Sequence, residues 1–494
     1  MTCLPGRSRL RLILTAIFTK NIYMGRKRFY FVNVSRLDLR GTISPQDKER
    51  SYFLLIPLDV PSGVKSIVIE YSYRAKDTGV CEIDIGLFSP GRVDFPAEPE
   101  AFRGWSGTAK KKIVVGERYA TPGYLPGEVK PGTWHIVLGL YKVPSCGCDY
   151  AISVDMRGFE EEFAHRRPTS TLVPSGGPRW YKGDLHTHSV HSDGDAEVWE
   201  IAEKAREKGL DFVALTDHNT ISHVRECLEI GGPVKIFPGM EITTYYGHMN
   251  LFGVRKWIDF RARTESDMAK IIELAEKYGY IASINHPKPD YPWLLGNWEK
   301  VWVMEAWQTM WEYFNYLSLR KYVELLSSGR NIVAIGGSDA HKIKHEEGIP
   351  RLGKPTTLLY MESLTEEAFL DAIRQGRVII TSGPNGPLIE YEAEGNGKRA
   401  GIKTTRIIPR ADKLRVRVEG GSNSLLLFLT ARGPIKVGLI EDNLYTKDIP
   451  MVLTTEDVFA LPLLMDPDFP TDDPLSEEAV VKAMANPLLL KETR

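Results

Sequence analysis

Gly183-Asp184-Leu185-His186-Thr187-His188-Ser189-Val190-His191-Ser192-Asp193-Gly194 carries two histidines two positions apart. Side chains at i and i+2 of an extended strand point to one face, so His186 and His188 are spaced to hold one metal ion between them. Asp193 follows, just before a glycine that can turn the chain. A His-x-His pair alone is more often a surface or core feature than a metal site. The sequence on either side decides between these readings.

C-terminal to this stretch, helical and strand patterns alternate. Val198, Ile201, Ala202 and Ala205 recur at helical spacing over 197–208, and Gly209 ends the run. A buried strand is expected at 211–216. Ser266 is placed to cap a helix running to 278, with Met268, Ile271, Ile272 and Ala275 inward and Gly279 at its end. Strands at 280–284 and 332–335 bracket a further helix over 317–328 that Gly329 stops. Such alternation implies a parallel sheet, and six or seven units favour a barrel over an open sheet.

The metal-binding residue types fall just after these strands. His186 and His188 follow the first, Thr216-Asp217-His218 the second, and Gly239-Met240-Glu241 the run 234–237. His248 opens another apolar run, Asn285-His286-Pro287 follows 280–284, and Gly337-Ser338-Asp339-Ala340-His341 follows 332–335. Nine of the eleven histidines lie between His186 and His345. Parallel α/β barrels place their chemistry at the carboxyl ends of their strands. The set as a whole therefore reads as a metal site, although each histidine alone would not.

His186-x-His188, Ser192-Asp193-Gly194, Thr216-Asp217-His218, Gly239-Met240-Glu241, His248, His286 and Asp339-x-His341 together resemble the polymerase-and-histidinol-phosphatase (PHP) superfamily. The resemblance spans about 180 to 384, where Val378-Ile-Ile-Thr-Ser-Gly-Pro384 is similar to the branch of CehA/McbA-type metallohydrolases. It implies a distorted TIM-like barrel of seven βα units, up to three metal ions, and in most members hydrolysis of phosphate esters. Carried over by motif, His186, His188, Glu241 and Asp339 are expected to hold the first metal. Glu241, His248 and His286 would hold the second, with Glu241 bridging, and Asp193, His218 and His341 the third.

Imidazole with carboxylate suits divalent zinc, manganese or iron, two to three ions in all. The expected activity is phosphate mono- or diester hydrolysis by a metal-bridging hydroxide, with Glu241 and Asp339 central to catalysis. The alternative is a carbamate, carboxylic ester or amide hydrolase on the same site. A different class is a ligand-binding protein with a structural metal site. His191 and His345 are candidate leaving-group acids, or plain surface histidines. Arg351 and Lys288 are candidate contacts for an anionic substrate, or solvated charges. Asp217 reads as a residue that orients the loop of His218.

The flanks are β-rich. The chain has 494 residues, enough for two or three domains. Residues 28–166 alternate apolar runs with Gly, Pro and Asp clusters, as in a β-sandwich of jelly-roll type able to bind a glycan or other ligand. A linker is expected at 167–179, the hydrolase domain at 180–384, and a C-terminal β-rich region with a tail at 385–494, ending in a loop and a short helix from Ser476. The fold class is thus multidomain, α/β with β flanks. Residues 1–27 read as a disordered or mis-started extension; a basic and apolar run at 7–18 weakly imitates an export signal. Five cysteines form no disulfide framework, Cys146-Gly-Cys148 reads as a turn, and a cytoplasmic protein is expected. A net charge of −1 gives no indication of nucleic acid, and no run is apolar enough for a membrane helix.

Overall fold

The computed structural model describes residues 11–15, 35–161, 176–346, 348, 350–469 and 472–492. The first part of the chain is built from strands β1 (Arg11–Thr15), β2 (Ser35–Ile43), β3 (Phe53–Val60), β4 (Ser66–Ala75), β5 (Glu82–Phe88), β6 (Phe102–Gly107), β7 (Lys112–Gly116), β8 (Gly132–Lys142) and β9 (Cys148–Arg157). They form two antiparallel sheets, ordered β1-β2-β9-β4-β7 and β3-β8-β5-β6. Burial alternates residue by residue along β9, the signature of a strand with one face in the core. Ile67, Ile69 and Val154 of one sheet share a core with Ile56, Ile85, Trp134 and Ile136 of the other. Apart from Arg11–Thr15, which pairs with β2 where a disordered extension was expected, residues 1–27 lie outside the described residues. The expected linker at 167–179 is mostly outside them as well.

Two features depart from the sequence reading. The helix α1 (Pro45–Arg50) is too short to show a period and is fixed by a capping box from Ser44 to Asp47. Cys81 and Cys148 form a disulfide, with Cα atoms 6.1 Å apart. They are 67 positions apart in sequence, which hides the pair. The β4–β9 ladder sets Ala75 opposite Cys148, beside the connection that carries Cys81.

The middle of the chain contributes β10 (Arg179–Thr187), α2 (Val198–Glu207), β11 (Phe212–Leu215), α3 (Val224–Glu229), β12 (Lys235–Thr244), β13 (Gly247–Phe252), α4 (Glu265–Lys277), β14 (Ile281–Ile284), β15 (Val303–Gln308), α5 (Asn315–Ser327), β16 (Val333–Gly337), β17 (Thr356–Met361), α6 (Glu366–Gln375) and β18 (Val378–Thr381). Thr264, not Ser266, caps α4, accepting from the Asp267 amide at 3.1 Å. β10, β11 and β12 are parallel, as are β14, β15 and β16. The expected parallel sheet is interrupted at β13, which is antiparallel to both β12 and β14, and at β17, which is antiparallel to β10 and β18. Only Tyr245 and Tyr246 join β12 to β13, a connection too short for a parallel crossover.

The row of strands curls until its ends meet. The Asp339 amide donates to the His186 carbonyl at 2.8 Å, and Thr187 bridges Ala340. A Cβ on Gly337 would sit 2.4 Å from that of His186, so the close approach of β16 to β10 requires glycine there. Below this seam the Thr357 hydroxyl of β17 bonds both backbone groups of Gly336.

The C-terminal region is strand-rich, but it is not separate. Its strands are β19 (Leu388–Gly395), β20 (Lys398–Gly401), β21 (Ile407–Ile408), β22 (Ala411–Glu419), β23 (Ser424–Thr430), β24 (Gly433–Ile440), β25 (Leu444–Leu453), β26 (Phe459–Met465), β27 (Val481–Ala485) and β28 (Leu488–Leu490). β27 pairs with β18, so the central sheet runs on as β18-β27-β26-β23-β24 across the expected boundary at 384. A second sheet, β20-β19-β22-β25, packs on it through Ile389, Val416, Val418, Leu426 and Phe428. The helix expected from Ser476 is instead a turn followed by β27 and β28, because the unpaired edge of β18 offers a ladder to an apolar run. Asn486 reaches further: its side-chain amide both accepts from and donates to the backbone of Ala334 on β16, at 2.8 Å each way.

The first domain docks on the central one through a continuous core. Phe102 stacks on Trp257 with centroids 4.1 Å apart, and Trp105 meets Phe260 edge-on at 4.7 Å. The Ala97 amide donates to Asp259, and Arg261 donates to the Val93 carbonyl. No helix among the described residues is long and apolar enough to cross a membrane.

Candidate metal centre and its cleft

The rim where β10 meets β16 gathers the candidate ligands. His186 is the penultimate residue of β10 and His188 follows the strand; Asp193 lies in the next loop, and His218 follows β11. Glu241 lies inside β12 rather than after it. His248 opens β13, and because β13 runs backwards its start reaches the same rim. His286 follows β14; Asp339 and His341 follow β16.

All nine converge. Ligand atoms of His186, His188 and Asp339 lie within 4.8 Å of one another. The same holds for His186, Glu241 and His286, and for His188, Asp193, His218 and His341. His188 therefore belongs geometrically to two groups. Glu241 is central: its Oε1 lies 3.3 Å from His186 Nε2 and His248 Nδ1 and 3.6 Å from His286 Nε2, and its Oε2 lies 2.7 Å from His218 Nδ1. Asp339 Oδ1 lies 2.9 Å from His188 Nε2 and 3.3 Å from His186 Nε2.

The donor set fits divalent metal. His186 Nε2 is buried without a hydrogen-bond partner, while oxygens of two carboxylates face it. Burial opposes the charge of Glu241, but His186, His248 and His218 hold its carboxyl well below the usual range. Burial likewise opposes Asp339, and His186 and His188 hold it down. Burial, with His341 and His218 adding to it, pushes His188 down to about 4, so its imidazole is neutral. Burial alone would lower His186, but Asp339, Glu305 and Glu241 outweigh it and raise its pKa. Ionised carboxylates and neutral imidazoles are the ligating forms of these groups, and a place that attracts a proton this strongly also attracts a cation.

Behind the ligands stand residues that the sequence reading missed. Glu305, inside the apolar strand β15, is buried. Its Oε1 takes His186 Nδ1 at 3.1 Å and its Oε2 the His286 amide at 3.0 Å. A carboxylate on the far nitrogen of a ligand histidine fixes its tautomer and ring orientation. Asn285 donates to Glu241 Oε1 at 2.9 Å, and Gln308 to Asp339 Oδ2 at 3.0 Å. A glutamate amid apolar neighbours, in Val303-Met-Glu305-Ala-Trp307, was the available signal.

Four expected substrate or acid residues are placed otherwise. His191 is buried behind the loop, its Nδ1 2.8 Å from the Ser222 hydroxyl, which also accepts from the Gly123 amide of the first domain. That contact links it to the first domain, and His191 does not line the cleft. His345 and Arg351 are exposed on the segment beyond His341; the Arg351 guanidinium donates to the Gly348 carbonyl, and neither residue lines the cleft. Lys288 is buried and donates to the Gln308 carbonyl and side-chain oxygen at 3.0 and 2.7 Å. Burial pushes its pKa down to about 7, with Glu305 and Asp339 opposing. It steadies Gln308, and through it Asp339.

A cavity of about 400 Å³ opens above the centre. Asp193, His218, His248, His286, Asp339 and His341 line one side; Asp84, Trp105 and Tyr141 of the first domain line the other. The metal centre is thus walled partly by a domain that carries none of its ligands.

Parts of the chain are similar to known proteins. A stretch of 64 residues is 33% identical to a phosphoribosyl 1,2-cyclic phosphate 1,2-diphosphodiesterase of Eggerthella lenta, covering 13% of this chain and 24% of that protein. A stretch of 67 residues is 37% identical to a 5'-3' exoribonuclease of Haemophilus influenzae, again 13% and 24%. The chain thus spans about a quarter of the length of these curated relatives. A two-domain protein of Bacteroides vulgatus, described as containing a predicted PHP-like metal-dependent phosphoesterase, aligns at 17% identity and a TM-score of 0.35, over 66% of this chain and all of that one. Residues 184–314, which hold His186, His188, Asp193, His218, Glu241, His248 and His286, match the PHP domain.

Proposed function

We propose that the protein is a metal-dependent phosphoesterase of the PHP type, from the CehA/McbA-like branch, with a distorted TIM-like barrel as its catalytic core. The observation that supports this best is the convergence of His186, His188, Asp193, His218, Glu241, His286, Asp339 and His341 in three overlapping groups, with His248 3.3 Å from Glu241, beneath a cleft. His186, His188 and Asp339 would hold one divalent ion; Glu241, His286 and His248, with His186 adjacent, a second; Asp193, His218 and His341, with His188, a third. Zinc, manganese and iron all suit this mixture of imidazole and carboxylate. Such ions lower the pKa of water and neutralise charge that develops on phosphoryl oxygens.

The chain's own residues set the geometry for this chemistry. Glu305 takes the Nδ1 side of His186, leaving Nε2 to face Glu241 and Asp339. Gln308 occupies Asp339 Oδ2 and leaves Oδ1 toward the histidines. Asn285 holds Glu241 in the orientation that lets both its oxygens serve. The first domain contributes Asp84, Trp105 and Tyr141 to one wall of the cleft. A cytoplasmic location, expected from the scarcity of cysteines, has the Cys81–Cys148 bridge against it, since disulfides persist in oxidising compartments.

The test is a panel of aryl phosphate mono- and diesters, an aryl carbamate and an aryl acetate, with zinc-, manganese- and iron-loaded protein. Phosphoester turnover competitively inhibited by vanadate is expected. Carbamate or acetate turnover without phosphoester turnover would move the protein to the carbamate-type reading. Bound metal with no turnover of any of them would favour a ligand-binding protein.

A further inference from the structure

The cleft wall opposite the metal centre carries a carboxylate with no cation in direct contact. Asp84 on β5 lines the cleft, and its Oδ2 accepts from the Tyr245 hydroxyl at 2.7 Å. Among the described residues no lysine, arginine or histidine nitrogen lies within 4.0 Å of this carboxylate. Its neighbour Glu82 differs, being paired with Lys142 at 3.1 Å. Burial pushes the Asp84 carboxyl up to about 6; the Tyr245 hydroxyl, and more remotely His218 and Lys111, restrain the rise without reversing it. At neutral pH the wall therefore holds an anion whose burial is unfavourable and which a cation would relieve.

The surroundings of that anion are aromatic. The Tyr245 ring stacks on Tyr141 at 5.1 Å and on Phe53 at 5.9 Å, and all three line the cavity. Tyr141 and Tyr291, 40% and 46% exposed, leave ring surface open at the cleft. Ring faces attract organic cations through their quadrupole, and a carboxylate attracts them more strongly where bulk water is displaced. A polyol would also find hydrogen-bond acceptors here, but it would leave the charge unneutralised.

We propose that Asp84, Tyr141, Tyr245 and Tyr291 form a subsite for an ammonium group on the alcohol portion of the substrate, so that the preferred substrate is a zwitterionic phosphoester. The phosphate end of this assignment rests on the phosphoesterase reading above. The first domain then selects the substrate on which the central domain acts.

The experiment compares phosphocholine with 3,3-dimethylbutyl phosphate, its uncharged carbon isostere, by titration calorimetry on the metal-loaded full chain. Phosphocholine is expected to bind about tenfold tighter or more, and Asp84→Asn, which keeps an acceptor for the Tyr245 hydroxyl, is expected to erase most of that preference. Tyr141→Ala, at an exposed position, should reduce it several-fold and serves if Asp84→Asn loses its near-ultraviolet circular dichroism. Equal binding of the two ligands, a preference that both variants leave intact, no binding of either, or tighter binding of glycerol 3-phosphate would each overturn the subsite. Turnover is read separately on p-nitrophenyl phosphorylcholine. A binding preference that depends on Asp84 without any turnover would overturn the phosphoesterase reading and leave the subsite standing.

Discussion

Replacing Glu305 by glutamine tests whether the centre is organised from behind its ligands. The carboxylate gives one oxygen to His186 Nδ1 at 3.1 Å and the other to the His286 amide at 3.0 Å. Glutamine is nearly isosteric but has a single acceptor oxygen, and its NH₂ must face one of those two donors. Either His186 loses the partner that fixes its tautomer, or the His286 amide is left buried and unpaired at a backbone φ of 25°, a strained value for this residue. An orphaned buried donor costs roughly 1–3 kcal/mol. Loss of such an outer partner typically weakens metal affinity about 10–100-fold, which is about 1.4–2.8 kcal/mol and so agrees. Competition of apo-protein against a chromophoric zinc chelator reads this directly. Glu305→Gln should hold zinc at least about tenfold less tightly than the unaltered chain, with the far-ultraviolet circular dichroism unchanged. Affinity within twofold of the unaltered protein would refute the positioning role.

Three further outcomes are expected. Glu241→Gln, which weakens the residue shared by the most ligands, should lower kcat by more than roughly 100-fold, beyond the loss of an outer partner, with folding intact by circular dichroism. Two to three equivalents of transition metal should appear by elemental analysis in protein prepared without chelator, and chelator should lower the melting temperature, because saturation at a hundred times the dissociation constant is worth about 2.7 kcal/mol. Phe102→Ala, which removes the ring stacked on Trp257 between the first two domains, should cost about 3–5 kcal/mol in denaturant unfolding; a cost below 1 kcal/mol would mean that the domains do not share a core.

The sequence revealed which side chains converge better than it revealed their surroundings. His186, His188, His218, His286, Asp339 and His341 were legible because each follows an apolar strand segment, and a strand end is a place that pattern alone can locate. His248 was harder, since it opens a strand that runs backwards. Glu305 was not legible as a functional residue: its partners are 119 and 19 positions away, and only the curl of the sheet brings them together. Arg351 and His345 misled for the converse reason, since proximity in sequence to His341 says nothing about which way an exposed segment faces. Asp84 was out of reach, because no local pattern tells that one domain's strand will line another's cleft. At the C-terminus the pattern around Ser476 suited a helix, and the open edge of β18 overrode it.

That edge has a consequence for how the chain is made. β18 ends at Thr381 and its partner β27 begins at Val481, 100 positions later. At a synthesis rate of about 5–20 residues per second, the central sheet waits roughly 5–20 s with β18 unpaired on one side. Asn486, which serves the backbone of Ala334 on β16, arrives later still. A ribosome-bound chain that stops short of these residues presents a bare apolar strand, the kind of edge on which nascent chains aggregate. Translational pausing ahead of β27, or a shortage of chaperones that shield such edges, should therefore reduce the yield of folded protein without altering a single residue of its candidate metal centre.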